Sequence, residues 1–135
     1  MRGAGVRRLI VWMALGLLLT GCVGTQALNT LTPSTGYDVA SNLPYDGAAN
    51  LRLDIYAPSG AKDRPVVVFF YGGRWTDGAK EEFKFVGEAL ASQGYVTVIA
   101  DLRRYPAVRF PAFVNDAAEV VKWARNKAAE HGGNG

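Results

Sequence analysis

The stretch that most restricts what this chain can fold into is PVVVFFY, residues 65–71, which runs directly into Gly72 and Gly73. A β-branched and aromatic run of this kind is a strand. One that is apolar on both faces belongs inside a sheet covered on both sides. Each of its large side chains contributes about 1.5–3 kcal/mol when fully buried. The glycine pair then removes two side chains where the chain leaves the strand. The backbone there can take a positive φ, and another group can approach it closely. A loop so shaped can aim consecutive N–H groups at one point, which suits a developing oxyanion. A simple strand-to-helix turn would use the same two glycines.

The surrounding pattern supplies the rest of a sheet. LRLDIYAP, 51–58, alternates, with Leu51, Leu53 and Ile55 on one side and Arg52, Asp54 and Tyr56 on the other; it reads as a half-buried strand ended by Pro58. EEFKFVGEALASQ, 81–93, places Phe83, Val86, Leu90 and Ala91 on one helical stripe that Gly94 ends. YVTVIA, 95–100, is a second buried strand. A longer helix from about Ala112 to Glu130 turns Phe113, Ala117, Val120, Val121 and Ala124 inward, and HGGNG closes it. The order β-α-β-α after residue 64 predicts an α/β domain with a mostly parallel sheet and helices on its faces.

The N-terminus reads differently. MRGAGVRR is a short basic segment, Leu9–Leu19 is an eleven-residue apolar core, and LTGC follows. The apolar core suits a secretory leader rather than a bilayer span. Cys22 is the only cysteine of the chain and cannot form an internal disulfide. Its placement resembles a bacterial lipobox, which implies acylation of Cys22 after cleavage; a buried thiol at the end of an anchor is the alternative. Val23 in place of an aspartate favours the outer membrane, on its periplasmic face. The expected organisation is a leader over 1–21, a flexible tether over 22–43 that is rich in Thr, Ser, Asn and Gly, and a domain over 44–135.

Charge excludes one class of partner. Arg2, Arg7 and Arg8 lie in the leader, and the remaining 12 Lys+Arg equal the 12 Asp+Glu. A neutral domain has no electrostatic footprint for nucleic acid. The sequence shows no metal-ligand cluster, phosphate loop or dinucleotide fingerprint, so no metal and no cofactor is implied.

Three segments, VVVFFYGGRW, GYVTVIADLRRYP and FPAFVNDAAEVVKWARNKAAEHGGN, resemble the N-terminal part of α/β-hydrolase carboxylesterases related to hormone-sensitive lipase and feruloyl esterase. The resemblance covers about residues 45–134. It implies a partial α/β-hydrolase fold, a small ester as substrate, and oxyanion donors at the backbone N–H groups of Gly73 and Arg74, with Gly72 shaping the turn. Tyr71, Trp75, Asp101 and Arg103 would support the loop, with Asp101 and Arg103 as an ion pair bracing it. Tyr71 stands where these relatives carry histidine, and Leu102 where tyrosine is frequent. Trp123 reads as helix packing, and Asp116 as a surface or loop-bracing carboxylate.

The catalytic triad of such enzymes is absent from these 135 residues. None of Ser34, Ser41, Ser59 and Ser92 lies in G-x-S-x-G, and His131 precedes the point where a nucleophile would come. The expectation is a truncated chain lacking strand five onward, inactive alone and marginally stable, with residues 66–70 as an open, aggregation-prone edge. That edge could instead bind a partner, either a separately encoded C-terminal half or a second copy.

Overall fold

A computed structural model describes residues 23–32, 35–46 and 49–134. The leader and Cys22 lie outside the described residues. The elements are α1 (Val23–Leu31), β1 (Tyr37–Asp46), β2 (Leu51–Pro58), β3 (Val66–Phe69), a 3₁₀ turn (Lys80–Phe83) leading into α2 (Lys84–Ser92), β4 (Val96–Ala100), and α3 (Ala112–Lys127), which ends in a second 3₁₀ turn (Ala128–His131).

The four strands form one sheet in the order β1-β2-β4-β3. β1 and β2 are antiparallel, as are β2 and β4, whereas β3 and β4 are parallel. β4 is buried along its whole length, as its continuous apolar run requires of a central strand. Its alternating residues serve two cores. Val96, Val98 and Ala100 join Leu53, Ile55, Val120 and Ala124 beneath α3. Ile99 joins Tyr56 and Ala91 beneath α2, with Phe69, Tyr71, Phe83 and Val86 around them.

Residues 37–43, read from the sequence as part of a tether, are strand. β1 escapes a period-two reading because its register shifts twice, between Ala40 and Leu43 and between Pro44 and Asp46. At the first shift Asn42 takes a positive φ of 59°, and its N–H donates to Asp54 Oδ1 at 2.8 Å. Each bulge displaces the inward-facing residue, so Ala40, Leu43 and Tyr45 reach the core at uneven spacing. Residues 23–31 are helix, also within the stretch read as tether. β2 is likewise less one-sided than its alternation suggests. Only Arg52 of its polar set is exposed, while Asp54 and Tyr56 are buried under the 3₁₀ turn and α2.

β3 takes one edge of the sheet and pairs only with β4 among the described residues. Its four side chains are half-buried rather than buried. Val121, assigned to the inward stripe of α3, is 41% exposed beside that edge.

α2 has no side-chain cap of its own; the Phe85 N–H donates to Asn29 Oδ1 of α1 at 2.8 Å. Gly87 lets α2 sit directly on the sheet. A Cβ there would lie 2.4 Å from the Tyr56 ring. At the other side of this contact Tyr37 of β1 donates its O–H to Glu88 Oε1. Burial, then that hydrogen bond, then the Glu88 charge push the Tyr37 phenol up from 10.0 to about 12.

Two outcomes follow from this packing. Alanine is the better helix former by roughly 1 kcal/mol, yet Gly87→Ala will destabilise the domain by about 1–3 kcal/mol through overpacking, read from urea unfolding. The Tyr37 phenol is raised in the folded state, so its contribution is fully present below pH 10 and disappears as pH rises through about 12. Urea midpoints taken upward from neutral pH will therefore fall more steeply in the parent than in Tyr37→Phe.

Candidate functional site

Beyond Phe69 the chain leaves β3 and enters the glycine loop. Gly73 has a φ of 135°, and a Cβ on it would lie 2.1 Å from the Asp77 carbonyl oxygen, so no other residue fits. Gly72 has neither constraint: its φ is not positive, and a Cβ there would meet nothing within 4 Å. The turn is therefore shaped at Gly73 rather than Gly72. Arg74 and Trp75 follow with φ of 52° and 64°, both left-handed. Such conformations at non-glycine residues cost about 1–3 kcal/mol each and persist only where neighbours enforce them.

Those neighbours are identifiable. The Gly73 carbonyl accepts the N–H of Thr76 at 2.9 Å and of Asp77 at 3.1 Å. Thr76 Oγ1 stands 3.0 Å from the same oxygen. The Trp75 carbonyl accepts the Tyr105 N–H at 2.8 Å, and its indole stacks on Phe113 of α3 at 4.5 Å. A planar trans peptide sets C=O and N–H in opposite directions. Holding the Gly73 carbonyl in the turn thus directs the Arg74 N–H away from it. Among the described residues, the N–H groups of Gly73 and Arg74 have no acceptor and take no part in sheet bonding.

Asp101, at the C-terminal end of β4, joins both ends of this loop. Its Oδ1 accepts the Tyr71 O–H and the Lys80 N–H, each at 3.0 Å. Its own carbonyl accepts the Tyr45 O–H. The Tyr71 ring lies parallel to Phe83 at 5.0 Å and against Gly78, where a Cβ would approach it to 2.8 Å. Burial, then the Asp101 charge and hydrogen bond, hold the Tyr71 phenol well above its ordinary range and keep its donor proton in place.

The expected Asp101–Arg103 ion pair is not formed. Arg103 pairs with Asp116 of α3, Nη2 to Oδ1 at 2.6 Å and Nε to Oδ2 at 3.0 Å, and its main-chain N–H donates to Oδ2 at 3.0 Å. The bond to Asp116, then its charge, raise the guanidinium further. The buried Asp116 thus braces the segment after β4 against α3. His131 stacks on Trp123 beside the Arg64–Gly133 bridge, near the opposite end of β3 from the glycine loop.

Sequence reasoning missed Lys80. It is 2% exposed, with Nζ 3.1 Å from Asp54 Oδ1 and 2.5 Å from Glu81 Oε1. Burial opposes its charge, but the bonds from Glu81 and Asp54 outweigh that and hold the ammonium above its ordinary value. A lysine next to two glutamates reads as solvated surface; nothing in the sequence marks it as covered. Beside the loop lies a cleft of about 550 Å³ lined by Thr76, Asp77, Leu102, Arg103, Arg104 and Tyr105 among others.

Comparison with known proteins defines the class: the sheet and its flanking helices form part of an α/β-hydrolase fold. Esterase B of Lactobacillus rhamnosis superimposes with a TM-score of 0.74 over 96% of this chain and 43% of its own, at 18% identity, a likeness of fold. An esterase of the planctomycete Thermogutta terrifontis, solved with butyrate bound, is 34% identical with a TM-score of 0.62, covering 73% of this chain and 37% of its own. The carboxylesterase NlhH of Mycobacterium tuberculosis is 33% identical over 92 residues, 67% of this chain. The BD-FAE family model matches residues 53–134, and the chain belongs to that family. It spans 29% of the length of the Mycobacterium relative.

Lys80→Met removes the cation from a buried carboxylate and will destabilise the domain by about 3–5 kcal/mol. Urea unfolding measures the loss, and Asp54→Asn in the same background will recover part of it.

Proposed function

We propose that residues 44–134 supply the oxyanion-binding part of a serine carboxylesterase. The donors are the N–H groups of Gly73 and Arg74, and the observation that carries the reading is that both lack acceptors among the described residues while the Gly73 carbonyl is held in a turn. In acyl transfer a serine oxygen attacks the ester carbonyl, and negative charge gathers on the carbonyl oxygen. Fixed main-chain donors stabilise that charge without reorganising. The chain carries no G-x-S-x-G serine, so on this reading it does not turn over esters alone. The neighbouring cleft suits a small acyl or alkoxy group, and the butyrate of the Thermogutta esterase is of that size. Lipid on Cys22 would hold the domain at the periplasmic face of the outer membrane.

A second reading makes the chain a half-domain that binds a partner by strand addition. The outer edge of β3, unpaired among the described residues, favours it, together with a groove of about 350 Å³ beside that edge, lined by Val66, Val68, Val121 and Arg125 among others. Recovery of a G-x-S-x-G protein with the chain from detergent-solubilised membranes would support this reading over the first.

The chain alone is expected to show no serine-dependent hydrolysis of p-nitrophenyl butyrate. Fused to the C-terminal part of a carboxylesterase relative, it is expected to hydrolyse that ester. In the hybrid, Gly73→Ala keeps the N–H but forces the turn that aims it to move, and will lower kcat by about 10²–10³-fold, the scale for one misdirected oxyanion donor, with KM changed far less. A thermal melt controls for folding, and a folded Gly73→Ala hybrid with undiminished kcat would end the oxyanion assignment.

A further inference from the structure

We propose that the outward face of α1 lies in the interface of a lipid bilayer, so that the domain rests on the membrane instead of hanging from it. This rests on the reading that Cys22 is acylated. α1 is amphipathic in an inverted sense. Gly24, Ala27, Leu28 and Leu31 recur at i, i+3, i+4 and i+7 and form its apolar face. That face points away from the protein, with Leu28 46% and Leu31 79% exposed. The side turned inward is polar. Asn29 donates to the Glu81 carbonyl at 3.1 Å and accepts the Phe85 N–H at 2.8 Å, hooking α1 onto the start of α2.

Three further observations select lipid as the occupant. VGTQALNTL carries no charged residue, so nothing on α1 resists entry into a headgroup layer. Its first residue, Val23, follows Cys22 directly, which leaves no slack between an acyl anchor and the helix. Nine residues at 1.5 Å each make α1 about 14 Å long, so a lipid at one end and Asn29 near the other keep the whole helix close to the surface. At that length α1 is too short to cross a hydrocarbon core of about 30 Å, so the contact lies in the plane of the surface.

The test uses the full chain, expressed with its leader and reconstituted into vesicles of phosphatidylethanolamine and phosphatidylglycerol. Cys22 is the only cysteine, and acylation consumes its thiol, so Leu31→Cys offers one site for an environment-sensitive fluorophore. Lys122→Cys, on the exposed side of α3, is the control. The label at position 31 is expected to emit with a blue shift and to be quenched by spin-labelled lipid, while the label at 122 stays solvent-like. Solvent-like emission at 31 overturns the proposal, and so does a blue shift without lipid quenching, which would mean that protein covers this face. The mass of the N-terminal peptide separates the two readings. An unacylated Cys22 overturns the anchor and this contact together, whereas an acylated Cys22 with a solvent-like label overturns the contact alone.

Discussion

A single carboxylate oxygen, Asp101 Oδ1, sets the geometry on which the candidate site depends. It receives one donor from Tyr71, where the glycine loop begins, and one from Lys80, where it ends. The eight residues between the Tyr71 hydroxyl and the Lys80 N–H would otherwise be free to sample many conformations, and backbone order is entropically expensive. With both ends fixed to the end of the central strand, the loop can hold two left-handed non-glycine residues. The strain at Arg74 and Trp75 is then sustained by contacts on three sides: Phe113 of α3, the Tyr105 N–H, and the turn at Gly73.

The two faces of the sheet are unequally finished. β4 is covered above and below and supplies both cores. The α2 face also contains charge, with Lys80 between Asp54 and Glu81, and Glu88 bonded to Tyr37 and Lys84. Such buried groups add little net stability compared with apolar side chains of the same shape, but misplacing one is heavily penalised. They fix where the 3₁₀ turn and α2 sit, and therefore where the loop before them must end.

Much of this was legible from residue patterns, and the parts that were not share a cause. The run 96–100 identifies itself because a strand buried on both faces needs no alternation; 66–69 is read as strand from the same composition, although its side chains are only half-buried at the sheet edge. The glycine pair after aromatic bulk marks the loop, but the sequence reading places the turn at Gly72, and only the positive φ and the Asp77 contact show that position 73 requires glycine. β1 was illegible because two bulges scramble its period, and α1 because its Thr, Gln and Asn content matches a linker. Arg103 and Lys80 show a further limit. A sequence displays charges but not their partners; Arg103 reaches Asp116 thirteen positions on, and Lys80 reaches Asp54 on a strand that precedes it.

The donors of the glycine loop are main-chain atoms, and this has an evolutionary consequence. On the proposed reading, the property under selection at positions 73 to 75 is a set of dihedral angles, not a functional group. Position 74 can therefore drift among residues that tolerate a left-handed backbone while its amide stays where it is. Divergence at position 74 records what its side chain touches, and says little about where its amide points.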